Sequence, residues 1–490
     1  MRFTIDDLRL TIGRAWRLLG NCRNDRPVRA PGLQILRFPW TFCRPGALCQ
    51  AEVRPRRFLK LVNRLLVTLL CLGCPNAKLF SAEAVLLRGA TVHTVSGETL
   101  SPGDVLIRDG KITAVGKSLP TTEAQVVELA GQQLYPGLIA LDTALGLIEI
   151  DQVRATDDTR EVGDYSPDVQ SWIAVNPDSE LLPVARGGGI AYFEPVPRGG
   201  IVSGQSALVR LDGWTTEQMT MKKPLALHFV WPSQQLDTTP KENFSDPSKW
   251  KSLDEQDQER RKKLRELAEF FDEARAYAKA KDAATNGVPP SENIPAWEAM
   301  LPYVHGERPL TVHADELRQI KSAVAWAVTN HFQIILAGGR DAWLAAELLA
   351  TNHIPVIYEH AQATPARDTD SYAAQFRAPE ILRAAGVTVA FGGGSTLVKN
   401  LPYAAAQAVA FGLPAEAAIR GLTLNPAQIA GVADRLGSIE VGKEATLIVT
   451  DGNLLDIRSH VTRLWIVGQP INLDSRHTRL YEKYRNRPHP

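Results

Sequence analysis

Two kinds of hydrophobic patterning divide this chain. From Ala84 to about Leu134, short apolar runs alternate with tight turns. Val85-Leu86-Leu87-Arg88 leads into Gly89-Ala90-Thr91-Val92, and Asp109-Gly110 separates Val105-Leu106-Ile107 from Ile112-Thr113-Ala114-Val115. An Asp-Gly pair between apolar runs predicts a hairpin, because the tightest hairpin turns need φ > 0 at their central positions. The same pattern returns late in the chain. There Gly437-Ser438-Ile439-Glu440-Val441-Gly442-Lys443-Glu444-Ala445 precedes the strand-like Thr446-Leu447-Ile448-Val449, and Val461 to Val467 supplies another strand. Two β-rich ends around one central block predict a small composite β-sandwich formed by both ends of the chain, from residues 83–134 and 434–475.

The centre, 135–433, reads differently. Ile190-Ala191-Tyr192-Phe193, Leu310-Thr311-Val312, Ile334-Ile335-Leu336-Ala337, Ile354-Pro355-Val356-Ile357 and Val387-Thr388-Val389-Ala390 are continuous apolar runs separated by helical stretches such as 342–349 and 404–411. Buried strands spaced by amphipathic helices predict parallel β/α units. The fold class is therefore α/β. About 300 residues of such units fit a distorted (β/α)8 TIM-like barrel, with a doubly wound sheet as the alternative. Residues 252–285 are rich in charge, with Leu264, Leu267, Phe270, Phe271, Ala274 and Tyr277 three or four apart. That spacing predicts a helix with one buried stripe, either packed on the barrel as a lid or surface helix or docking a partner. Residues 232–250 read as a long loop and 476–490 as a basic tail.

Charge narrows the partners. The net charge of +1 hides an N-terminal excess, since residues 1–60 hold 13 Lys/Arg against 4 Asp/Glu. The remainder is mildly acidic, and no basic surface points to nucleic acid. All five cysteines (Cys22, Cys43, Cys49, Cys71 and Cys74) precede residue 75, so the body has no disulfide, thiolate metal site or Cys nucleophile.

Arg54, Arg56, Arg57, Lys60 and Arg64 flank the short apolar run Leu65 to Gly73, which Pro75-Asn76-Ala77 breaks. A basic region before an apolar stretch too short to span a bilayer has the layout of a signal peptide, here over 53–82. This predicts an exported, periplasmic or extracellular protein. Residues 1–52 then read as an upstream over-extension of the reading frame, or else as a true extension ahead of a signal anchor. Cys71-Leu72-Gly73-Cys74 resembles a lipoprotein cleavage box, which would make Cys74 a lipid anchor.

The run Tyr135-Pro136-Gly137-Leu138-Ile139-Ala140-Leu141-Asp142-Thr143-Ala144, with Leu422-Thr423-Leu424-Asn425-Pro426-Ala427, Gly437-Ser438-Ile439 and Gly442-Lys443-Glu444-Ala445-Thr446-Leu447, resembles the amidohydrolase superfamily, in its imidazolonepropionase-like branch. The resemblance covers nearly all of residues 84–475. It implies hydrolysis of an amide or other C–N bond by metal-activated water, with ligands at the C-terminal ends of barrel strands. It also implies pairing of subunits, with itself or with a homologous amidohydrolase. Most implied ligand positions are replaced. Asp142 and Ala144 stand where two His are expected, and His313 is kept. Ile335-Leu336-Ala337-Gly338-Gly339-Arg340-Asp341 lacks the next His, and Gly394 stands in the place of the Asp.

None of the ten histidines forms His-x-His or His-Glu-x-x-His, which excludes a zincin site and argues against the usual binuclear centre. His313, His360 and Asp142 remain as catalytic candidates. They are either the ligands of at most one divalent metal such as zinc or a metal-free acid and base. Arg340, Asp341, Glu359 and Ser395 are candidates for substrate binding. Gly392-Gly393-Gly394 reads as a tight turn, or as a nest of N–H groups for a carboxylate. Two functions are carried forward. One is a hydrolase acting on non-peptide carbon–nitrogen bonds of a small-molecule substrate, such as a cyclic amide. The other is an inactive homologue that binds a small molecule or supports an active subunit.

Overall fold

The computed structural model describes residues 84–121, 124–150, 152–285 and 292–487. The expectations for residues 1–82, including the signal-like segment and Cys74, lie outside the described residues. Among the described residues, no helix is long and apolar enough to cross a membrane.

Both ends of the described chain enter one eight-stranded sheet. Strand Gln133–Pro136 pairs with Ala84–Val92 on one side and with Leu447–Thr450 on the other. Leu447–Thr450 pairs in turn with Val461–Ile466, and that strand with Gln469–Ile471. The Asp109-Gly110 turn takes φ of +49° and +75° and joins Leu100–Arg108 to Lys111–Gly116 as an antiparallel hairpin. Leu87, Val105, Ile107, Leu134, Leu447 and Trp465 build a separate apolar cluster against this sheet.

The centre holds two further sheets. Leu138–Thr143 runs parallel to Ile190–Pro195 in a four-stranded sheet. The other has six strands, of which five are parallel neighbours: Leu227–Val230, Leu310–Ala314, Ile334–Gly338, Val356–Tyr358 and Val389–Phe391. A parallel bridge between Leu141 and Gly392 joins the two sheets. Both Leu138–Thr143 and Ile190–Pro195 are buried along their whole length, as strands covered on both faces require.

Period-two alternation decides which side chains reach the site. In Leu310–Ala314, Leu310, Val312 and Ala314 pack into the core, so Thr311 and His313 share the opposite face. In Leu227–Val230, Phe229 faces outward to the helices while His228 faces inward. The long helix Leu253–Thr285 docks on that outer side, burying Leu267, Phe271, Ala274 and Ala278. The Phe271 ring lies 5.8 Å from Phe229, 4.9 Å from Trp326 and 5.2 Å from Phe332. The buried stripe of this helix thus meets the body of its own chain. The basic C-terminal segment is also ordered, as helix Arg476–Arg485 with Ser475 as N-cap, and Arg479 pairs with Glu180.

Candidate active site

Asp142 is fully buried and has φ of +50°, a left-handed conformation that Asp tolerates better than most residues. The register between its strand and Ile190–Pro195 breaks between Ala140 and Thr143, and the Asp142 N–H donates to Oε2 of Glu194 at 3.1 Å. The other Glu194 oxygen accepts the Ser206 hydroxyl at 2.6 Å and contacts Nε2 of His228 at 3.2 Å. His228 Nδ1 lies 3.0 Å from His313 Nε2. His313 Nδ1 then stands 3.5 Å from Asp142 Oδ2, beyond a formed hydrogen bond. Arg198 completes the cluster, with Nη2 at 3.3 Å from Asp142 Oδ1.

Donor and acceptor counting assigns the protons. The Ser206 hydrogen goes to Glu194, so Ser206 Oγ accepts at its 2.8 Å contact with His228, and Nε2 of His228 carries a hydrogen. In the neutral tautomer His228 Nδ1 accepts, so the His313 hydrogen sits on Nε2. His313 Nδ1 is left bare, facing an Asp142 Oδ2 that is buried without a hydrogen-bond partner. Burial, followed by the charges of His228 and Arg198, pushes the His313 imidazole down to about 4, although Asp142 opposes the shift. His313 is therefore a neutral base at physiological pH.

The two carboxyls beside it move apart. Burial alone would raise Asp142, but His313, Glu359, Arg198 and His228 together outweigh it and hold the carboxyl below the usual carboxylate range. Burial, then the charge and hydrogen bond of Asp142, raises Glu359 well above its ordinary value. Glu359 is thus the protonated partner and Asp142 the ionised one, the expected outcome when two carboxyls share a dry site. A cavity of about 300 Å³ opens over this cluster, lined by Arg198, Ser203, His313, Asp315, Gln319 and Glu359.

The other sequence candidates lie around this centre in different roles. His360 turns away from Glu359, its chain neighbour, and its Nε2 lies 2.8 Å from Asp315 Oδ1, which also accepts the Arg340 N–H at 3.1 Å. Asp341 is buried and accepts both Arg367 Nη groups at 2.9 and 2.7 Å and the Leu317 N–H at 3.1 Å. Arg340 borders a second cavity of about 610 Å³, with Glu316, Arg318 and Arg367. Ser395 is exposed; its carbonyl accepts the Ala144 N–H and its hydroxyl the Leu397 N–H. The glycine run is no anion nest. The N–H groups of Gly392, Gly393 and Gly394 donate to the carbonyls of Tyr358, Leu141 and Asp142 at 2.8 to 2.9 Å.

The metal implied by the sequence resemblance does not fit these side chains. Among the described residues, no group of three or more His, Cys, Asp or Glu is placed to hold a metal ion. Asp142 and His313 converge, but His360 is committed to Asp315, Glu359 to Asp142, and a guanidinium already sits on Asp142. A catalytic zinc ordinarily needs three protein ligands.

Glu194, Arg198, Ser206 and His228 escaped the sequence reading. His228 carried the clearest signal, as the one polar residue in the apolar run Leu225-Ala226-Leu227-His228-Phe229-Val230. A residue that interrupts a buried strand must find a partner or a function. Arg198 and Ser206 sit among glycines that read as turns, and Glu194 ends a strand read as purely apolar.

Comparison with known proteins identifies the family of the chain. The amidohydrolase tasK of Hapsidospora irregularis is 22% identical over 420 residues, which are 77% of this chain and 41% of that protein. The chain thus spans about two fifths of that relative's length. An amidohydrolase from Thermotoga maritima has a solved structure that superposes with a TM-score of 0.70 at 26% identity, covering 79% of this chain and 99% of that one. The amidohydrolase family profile matches residues 216–473, more than half of the 490, and the chain belongs to the amidohydrolase family.

Proposed function

We propose that this protein is a hydrolase acting on a non-peptide carbon–nitrogen bond of a small molecule, a cyclic amide or a close relative, in the manner of the imidazolonepropionase-like branch. One observation carries the reading. A neutral imidazole, a protonated carboxyl and a guanidinium, from His313, Glu359 and Arg198, line one cavity above a buried hydrogen-bonded network. An attacking water can give a proton to Nδ1 of His313 as its oxygen bonds to the carbonyl carbon, and Asp142 Oδ2 would receive the new N–H. Glu359 holds a proton for the departing nitrogen, and His228, Ser206 and Glu194 fix the ring of His313. The two central sheets, bridged at Leu141 and Gly392, are read as parts of a distorted barrel with its mouth at this cavity. The end sheet is read as the composite domain beside it.

A screen of cyclic amides and N-acylated small molecules, with products read by mass spectrometry, tests this proposal. For any substrate found, His313→Ala is expected to lower kcat/KM by about 10²-fold or more. An unchanged kcat/KM would remove His313 from the reaction. The second reading, an inactive homologue that binds a small molecule, is favoured by the Arg198–Asp142 ion pair. That pair neutralises the carboxylate that stands where the resemblance implies a metal-binding His. A ligand that binds and is returned unchanged would select it.

A further inference from the structure

We propose that this site operates without a divalent metal. Arg198 is then the fixed positive charge of the cavity, and it receives the carbonyl oxygen or carboxylate of the ligand. The inference rests on the acid–base reading of the same site and adds the kind of group that docks there.

Two observations carry it. Arg198 Nη2 stands 3.3 Å from one oxygen of Asp142, while 37% of the Arg198 side chain remains exposed and the residue lines the cavity beside His313 and Glu359. A divalent ion held between His313 Nδ1 and Asp142 Oδ2 would face a cation already seated on the same carboxylate. Like charges that close to one carboxylate repel each other. The second observation is the position of Glu359. A Cβ built on Gly394 would lie 2.8 Å from Glu359 Oε2, and one on Gly392 would lie 2.7 Å from Glu359 Cγ. The carboxyl of Glu359 therefore occupies the space in which a side chain at 394 would reach the centre.

Arg198 also has capacity left for a ligand. Its planar fork offers five N–H donors in a fixed geometry suited to carboxylate and carbonyl oxygens. Only Nη2 is bound to Asp142, and Nε is buried without a partner.

Zinc chloride is titrated calorimetrically into the chelator-treated full chain, its Arg198→Gln and Arg198→Lys variants, and His313→Ala. The wild type and Arg198→Lys are expected to show no one-to-one zinc binding, because both keep the positive charge. Arg198→Gln, which frees only the two ligands Asp142 and His313, is expected to bind zinc no more than weakly. One zinc bound per wild-type chain, and lost in His313→Ala, would overturn the proposal. In parallel, sodium benzoate serves as a carboxylate probe. It is expected to raise the melting temperature of the wild type but not of Arg198→Gln, and an equal rise in both would overturn the ligand role of Arg198. These results stand apart from the activity test of His313. Zinc uptake by the wild type would sink the present inference while leaving the acid–base role of His313 open to its own assay.

Discussion

Oε2 of Glu359 lies where a side chain on Gly394 would have to begin: a Cβ there would stand 2.8 Å from it. The two positions are on neighbouring segments, after strands Val356–Tyr358 and Val389–Phe391, so one carboxyl and one glycine divide a single volume between them.

Gly394→Asp is therefore expected to destabilise the fold by about 1–3 kcal/mol through overpacking. The backbone there, at φ +53°, is one that Asp tolerates, so the cost is steric and electrostatic. The double variant Glu359→Ala/Gly394→Asp is expected to recover much of the loss. Urea unfolding midpoints of the four proteins would show it, and purely additive effects would refute the shared volume.

Stability should depend on pH through His313. Its folded value of about 4 lies below its ordinary value near 6.5, so the unfolded chain binds a proton that the folded chain refuses. The resulting stabilisation is fully present above about pH 6.5 and is lost as pH falls toward 4. Melting temperatures between pH 4 and 7 should fall more steeply for the wild type than for His313→Asn. Parallel curves would show that the imidazole is not held neutral.

Glu194 accepts from the Asp142 N–H, the Ser206 hydroxyl and His228, which makes it the common brace of both members of the Asp142–His313 pair. Glu194→Gln turns an acceptor into a donor facing donors. It should cost about 1–3 kcal/mol and shift the ring nitrogen resonances of His228 and His313. NMR spectra with unmoved histidine signals would contradict the brace.

Phe271→Ala should cost about 3–5 kcal/mol, because the ring fills the junction of Phe229, Trp326 and Phe332. Hydrogen exchange along 253–285 should rise with it. If protection of that helix is unchanged, the aromatic junction does not hold it down.

Much of the scaffold was legible from pattern. Five apolar runs in the centre became strands, the Asp109-Gly110 turn formed, and the stripe on 252–285 became the buried face of one helix. These features are local, since strand periodicity, turn chemistry and helix spacing depend on neighbours a few residues apart. His313 and Asp142, both named from the sequence, stand 3.5 Å apart in the structure. The other partners of His313 were not named. Glu194, Arg198, Ser206 and His228 lie 119 to 85 positions earlier in the chain, and of these only His228 is marked by its neighbours, as the one polar residue in an apolar run.

Sequence alone thus determined the alternation of strands and helices and the return of the chain's end to its beginning. Only the tertiary structure decided which polar residues meet. Inward-facing positions of parallel strands converge on one point whatever their separation in sequence, so a glutamate, a serine and two histidines read singly as strand residues become one network. The same convergence set the charges. Burial and contact, rather than residue type, left His313 neutral, Glu359 protonated and Asp142 ionised against Arg198.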